Sequence, residues 1–161
     1  MYVRNAIDLD LENIQDIEQI VEGDDAASFE VLRSRLEMFP EGFLVAEQDQ
    51  KIIGYVESCL WNKRDFKTFD EIRDFPKDHA PDGKDLYVIF LAVHPRFRRK
   101  GVGSKLIKTL QDYAVVEEKE RVILVAGGGF LPDFYKSLGF KKIRELPNFN
   151  NGVGTLMEYK L

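Results

Sequence analysis

The stretch that most restricts the fold is DLYVIFLAVHPRFRRKGVGSKL, Asp85 to Leu106. From Leu86 to Val93 it is apolar on both faces, which a strand inside a covered sheet requires. His94 and Pro95 end that strand, and Val102, Leu106, Ile107, Leu110 and Ala114 then mark the buried stripe of a helix of about four turns. A fully apolar strand feeding an amphipathic helix needs further strands beside it and helices against it. The expected class is therefore α/β or α+β, built on one mixed sheet. A chain of 161 residues suits one core that buries roughly 70% of the surface exposed by the unfolded chain. A single domain over 1–161 is the expectation.

The remaining segments fit this plan. Tyr2 to Ile7 predicts a strand, and Leu11, Ile14, Ile17 and Val21 predict a helix capped by Asp8 or Asp10. Phe29, Leu32, Leu36 and Phe39 repeat the helical spacing behind Ser28, and Pro40 stops it. Gly42 to Glu47 and Lys51 to Leu60 predict a hairpin turning at Gln48 to Gln50. Residues 61–84 form a charged insertion in which Phe66, Phe69, Ile72 and Phe75 predict one short helix. Arg121 to Ala126 predicts another buried strand, and Leu131, Phe134 and Leu138 predict a short helix started by Pro132 and capped by Gly139. Phe140 to Leu146 and Val153 to Leu161 predict two closing strands.

Composition narrows the function. Hydrophobic residues make up 44% and charged residues 32%, which excludes a disordered or collagen-like chain. The net charge of −5 argues against a surface built to hold nucleic acid or anionic lipid. Four of the five residues Arg96 to Lys100 are nevertheless basic, just where a helix opens with Gly101 and Gly103. A helix N-terminus offers unpaired N–H groups and partial positive charge, and glycine lets an anion approach the backbone. The pattern suits a pyrophosphate, although a solvated charge run is the plainer alternative. It is neither a GxxxxGK[ST] phosphate loop nor a GxGxxG fingerprint. Cys59, the single cysteine, permits no intrachain disulfide and reads as a small core residue. Without a basic-then-apolar leader or an apolar run of about 18 residues, the expectation is a cytoplasmic protein with no membrane partner.

Arg98-Arg99-Lys100-Gly101-Val102-Gly103 resembles the R/Q-x-x-G-x-G/A motif of the GNAT superfamily of N-acetyltransferases, following a strand that reads LAVHP as in that family. Phe134-Tyr135-Lys136-Ser137-Leu138-Gly139-Phe140 resembles the family's second signature, FYxxLGF. The resemblance covers essentially the whole chain, and LEMFPEGFLV, HAPDG and LAVHP look like the branch containing serotonin N-acetyltransferase. It implies a mostly antiparallel mixed sheet of about six to seven strands, flanked by about four helices and splayed between its two central strands. It further implies acetyl-CoA as cosubstrate, no metal, and a small primary amine as acceptor. The family also includes enzymes that acetylate lysines and N-termini, and many members are homodimers.

By the same resemblance, the backbone of Leu91, Ala92 and Val93 would hold the pantetheine arm. The N–H groups of Arg99, Lys100, Gly101, Val102, Gly103 and Ser104, with charge from Arg98 to Lys100, would hold the pyrophosphate, and Phe134 would lie against the cofactor. Tyr135 would donate a proton to the departing thiolate, as a phenol that stays protonated at neutral pH can. A core tyrosine with a satisfied hydroxyl is the alternative. The paired histidines of the serotonin enzyme fall on Tyr87 and Ile89, which cannot replace them.

Glu57 is the leading candidate for the base, because it lies mid-strand among Ile53, Tyr55 and Cys59, where an unpaired carboxylate is costly. A solvated strand end or an arginine partner explains the same position. His94 and His79 are further candidates. Asp65, Asp70, Glu71, Asp74 and Asp78 interleave with Phe66, Phe69 and Phe75, a mixture suited to a cationic acceptor or to a solvated helix. An acyl-CoA-binding module without turnover is the rival function, and RFRRK as a nucleic-acid site is disfavoured by the net charge.

Overall fold

The computed structural model describes residues 1–72, 75–150 and 152–161. In chain order the elements are β1 (Tyr2–Asn5), α1 (Leu11–Glu22), α2 (Phe29–Met38), β2 (Leu44–Gln48), β3 (Lys51–Trp61), α3 (Phe75–Asp78), β4 (Asp85–Val93), α4 (Val102–Val116), β5 (Arg121–Ala126), α5 (Leu131–Ser137), β6 (Lys141–Phe149) and β7 (Gly152–Lys160). The seven strands form one sheet in the order β1-β2-β3-β4-β5-β7-β6. The β1–β2, β2–β3, β5–β7 and β6–β7 pairs are antiparallel, and β4–β5 is parallel. Of the helices, α3 is a single turn, so α1, α2, α4 and α5 supply the four that were expected.

The chain divides into two compact units. The first comprises Met1–Ser58 with Ile89–Leu110. Its core joins Leu11, Ile14 and Ile17 of α1 to Leu32 and Leu36 of α2, and packs both against Val45, Tyr55 and Ala92 of the sheet. Each fully buried side chain of this kind contributes roughly 1.5–3 kcal/mol, so the apolar stripes account for the helices' placement. Ser28 caps α2 by accepting from Val31 N at 3.2 Å. Asp10 at the head of α1 instead accepts from Ile7 N at 2.9 Å and pairs with Arg4 at 2.7 Å, fastening β1 to the helix start. The β2–β3 turn is made by Asp49 and Gln50, both with positive φ (50° and 63°), the twist that a two-residue hairpin favours.

The second unit comprises Cys59–Val88 with Gln111–Leu161. Here β4 pairs with β5 over three rungs, Asp85–Arg121, Leu86–Val122 and Tyr87–Ile123. Asp85 is fully buried, accepting from Arg121 Nε at 2.9 Å and Arg64 Nη1 at 2.6 Å. Arg121 continues to Glu158 of β7 at 2.8 Å, and Arg64 to Glu120 at 2.7 Å.

Two expectations are corrected in this unit. The predicted helix does not include Phe66: the described helical residues are a 3-10 turn over Phe69–Ile72 and α3 over Phe75–Asp78. The reason is tertiary. Phe66 packs on Trp61 with ring centroids 6.0 Å apart, while Phe69 meets Phe149 edge-on at 4.9 Å, so consecutive aromatics face different partners. The β6 strand also runs past Leu146 to Phe149, because a register shift between Pro147 and Phe149, with Asn148 at positive φ, accommodates the proline on an edge strand.

Candidate active site

The sequence-predicted residues fall in both units. Glu57, Leu91–Val93 and Arg98–Ser104 belong to the first, and Phe134 and Tyr135 to the second.

In the first unit the buried strand changes character along its length. Asp85 to Val88 is buried, whereas Ile89, Phe90, Leu91 and Val93 are half-buried and only Ala92 is again covered. His94 N donates to Ile53 O at 2.9 Å, fixing the strand end to β3. Gly54 allows the close packing here: a Cβ would stand 3.0 Å from Ala92 O and 3.1 Å from Val102 Cγ1.

The turn after β4 is built from its own basic residues. Arg96 N donates to His94 Nδ1 at 3.2 Å, and Arg98 Nε donates to Val93 O at 3.2 Å. Arg99 and Gly101 take positive φ (60° and 80°), which turns the chain into α4. The first bond of that turn runs from Lys105 N to Gly101 O at 3.0 Å, leaving the N–H groups of Val102, Gly103 and Ser104 ahead of the helix ladder. A side chain at Gly101 would meet nothing within 4 Å, so the space before those donors is open. Arg98, Arg99 and Lys100 are exposed, with the Lys100 ammonium 5.7 Å from the Phe97 ring centroid. Free N–H donors, open space and cations together fit a phosphate-bearing group.

Glu57 is 1% exposed and its Oε1 accepts from Arg35 Nη1 at 2.5 Å. Its Oε2 is buried without a hydrogen-bond partner. Burial raises this carboxyl to about 7, against the attraction of Arg35 and with the help of the negative charge on Glu18. The arginine partner expected as an alternative is therefore real, yet it satisfies only one oxygen. Arg35 and Glu18 were missed in the sequence, although Arg35 stands three residues after Leu32 and Glu18 four after Ile14, each on a buried stripe.

In the second unit Tyr135 is 7% exposed, packed edge-on against Phe134 at 5.0 Å and Phe140 at 5.7 Å. It is more deeply buried than Leu131, Phe134 and Leu138, the residues expected to form the covered stripe. Its backbone carbonyl accepts from Leu138 N at 3.0 Å and Phe140 N at 3.1 Å, closing the helix at Gly139. Burial alone pushes the phenol well above its ordinary value, and among the described residues no group donates to or accepts from its hydroxyl. The satisfied core tyrosine is not what the structure holds.

The other candidates are occupied. His94 Nδ1 receives Arg96 N–H, and His79 Nδ1 receives Leu60 N–H at 3.1 Å, so neither of those lone pairs is available to take a proton. Tyr87 is 2% exposed and stacks on Trp61 at 4.1 Å. In the insertion, Asp70 accepts from Asn148, Asp78 pairs with Lys63 and Glu71 accepts from Thr68 N, so these carboxylates serve the segment's own structure. Asp74 lies outside the described residues. Among the described residues no cluster of three or more His, Cys, Asp or Glu could hold a metal ion, and no helix is long and apolar enough to cross a membrane.

A seven-stranded mixed sheet in this order, with a basic, glycine-opened helix start directly after β4, defines a recognisable class of α/β fold. The family model described as "Acetyltransferase (GNAT) family" matches residues 9–140, and the chain belongs to that family. Three curated relatives are similar to it. The probable hydrolase YhcX of Bacillus subtilis (strain 168) is 33% identical over 142 residues, covering 84% of this chain and 27% of the relative. The uncharacterized N-acetyltransferase YkwB of the same organism is 33% identical over 110 residues, 65% of this chain and 47% of the relative. Serotonin N-acetyltransferase of Mesocricetus auratus is 26% identical over 113 residues, 70% of this chain and 52% of the relative. The chain thus spans between 27% and 52% of the length of these relatives. Among solved structures, the loading GNATL domain of CurA from Lyngbya majuscula shares the fold with a TM-score of 0.84 at 20% identity, covering 99% of this chain and 96% of that one.

Proposed function

We propose that residues 1–161 form one acyltransferase domain that moves an acetyl group from acetyl-CoA to a primary amine. The observation that carries this reading is the basic, glycine-opened start of α4 directly after β4, where N–H groups ahead of the helix ladder face open space. The backbone of Leu91, Ala92 and Val93 is assigned to a pantetheine arm laid alongside as another strand would be. The N–H groups from Arg99 to Ser104 suit the pyrophosphate, with Arg98, Arg99 and Lys100 adding charge and Phe134 an apolar surface. When bound, acetyl-CoA supplies a thioester already activated for attack.

Direct transfer needs the amine lone pair to bond the thioester carbonyl carbon while the carbon–sulfur bond breaks. One proton leaves the amine nitrogen and one is taken up by the sulfur. Glu57 is assigned the first, as a carboxylate poised near neutrality with a partnerless oxygen. Tyr135 is assigned the second, as a phenol held firmly protonated by burial. Most of the rate enhancement would come from orientation rather than from either proton transfer. The acceptor proposed is a small molecule, on the look of the arylalkylamine branch and the distant match to serotonin N-acetyltransferase.

One observation favours a second reading, an acyl-CoA-binding module without turnover: the free oxygen of Glu57 is sealed and the other is held by Arg35. Release of coenzyme A thiol from acetyl-CoA, measured across arylalkylamines, polyamines, amino sugars, amino acids and lysine peptides, separates the two. Turnover on one class that is lost in Tyr135→Phe supports the transferase and names its acceptor. Acetyl-CoA binding with no turnover on any class supports the module, and turnover confined to lysine peptides replaces the small amine by a protein acceptor.

A further inference from the structure

Glu57 belongs to a buried group of charges beneath α1 and α2. On one side Arg35 of α2 donates to its Oε1 at 2.5 Å. On the other, Glu18 of α1 accepts Ala27 N–H on Oε1 at 3.0 Å and the Tyr55 hydroxyl on Oε2. Glu18 is 4% exposed and Tyr55 is fully covered. Tyr55 and Glu57 stand two residues apart on β3, on one face of the strand. Two carboxylates here share the influence of one guanidinium, that of Arg35. Glu22 of α1 also bears on Glu18 and raises it, while Arg35 lowers it.

The hydrogen bonds decide where a proton goes. Burial raises Glu18 as well, but both of its oxygens accept a bond, whereas Glu57 accepts only from Arg35 and its Oε2 accepts none. A proton entering the group therefore settles on Glu57. We propose that Glu18 and Arg35 are positioning residues that oppose one another in setting how readily Glu57 takes up a proton, an inference that rests on reading Glu57 as the base. Glu18 makes a second negative charge beside it costly and so strengthens Glu57 as a proton acceptor. Arg35 stabilises the charged carboxylate and weakens it. The two carboxylates are coupled, and the proton that leaves the amine is bound by the pair with Glu57 as its seat.

The test is a ¹³C NMR titration of the whole protein labelled at glutamate carboxyl carbons, with the Glu57 signal assigned as the one lost in Glu57→Gln. In parallel, the pH dependence of kcat is measured on the amine that turns over. Glu18→Gln, which removes the charge while its amide oxygen can still accept Ala27 N–H and its NH2 can donate to the Tyr55 hydroxyl oxygen, is expected to move the Glu57 midpoint down by about one pH unit, and Arg35→Gln to move it up by a similar amount. Arg35→Lys, which keeps the charge, is expected to bring it back towards the unsubstituted protein. A midpoint unmoved in Glu18→Gln, or shifted the same way in both neutral variants, overturns the proposal. If Arg35→Gln does not fold, the downward shift in Glu18→Gln and the retained midpoint in Arg35→Lys carry the test unaided. NMR midpoints that move apart while the kcat profile stays fixed support the tuning and overturn Glu57 as the base.

Discussion

A hydroxyl without a partner in an otherwise aromatic surround is the sharpest single-atom feature of the chain. Tyr135→Phe removes that atom and almost nothing else, since Phe134 and Phe140 already define the ring's place. The expected outcome is a drop in kcat of about a hundredfold, the scale of one lost proton transfer, with acetyl-CoA affinity by calorimetry unchanged. At Glu57 the sign follows from the role proposed for it. A base must be deprotonated, and burial places this carboxyl at about 7, so kcat should rise with pH through that value. In Glu57→Gln the low-pH limb of the profile should disappear along with most of the rate. Both residues stand out in the sequence as candidates, Tyr135 from its motif and Glu57 from a charge in an apolar strand, and the structure buries both. Arg35 and Glu18 do not, because they reach Glu57 from α2 and α1 across distances in sequence that periodicity does not encode.

At the scale of elements, β4 and α4 were legible almost to the residue, because an apolar run and an amphipathic stripe each carry their own period. The insertion was not, since its short turns are held by Trp61, Arg144 and Phe149 rather than by local propensity. Two substitutions probe how the elements are joined. Gly54→Ala would place a methyl at about 3 Å from Ala92 O and Val102 Cγ1, backbone and branched side chain that yield little. It should lower stability by about 1–3 kcal/mol in urea titration and weaken acetyl-CoA binding, because the strand end and helix start are what it pushes apart. Asp85→Ala removes the carboxylate between Arg121 and Arg64, leaving their charges without it at the base of the parallel ladder. The expected loss is about 3–5 kcal/mol by the same measurement. Nothing local announced this network: Asp85 reads as the polar start of a strand, and its partners lie 21 and 36 positions away.

For the molecule as a whole, the acidic balance of −5 and the cationic turn at Arg96–Lys100 act in opposite senses on an anionic ligand. Exposed charges are screened over about 8 Å at physiological ionic strength, so the turn works at short range. Raising salt from about 0.05 to about 0.5 M should weaken acetyl-CoA binding several-fold, whereas Tyr135→Phe should leave that salt dependence intact. The apolar second half of β4 has another consequence. The segment from Val88 to Val93, VIFLAV, is uncharged, free of proline and rich in β-branched and aromatic residues, the composition of a stretch that pairs with other chains once it is uncovered. A ligand at a hundred times its dissociation constant stabilises a native state by about 2.7 kcal/mol, and a cosubstrate held along Leu91 to Val93 would keep this stretch covered. Purified without acetyl-CoA the protein should aggregate on standing, and supplied with it should stay in solution.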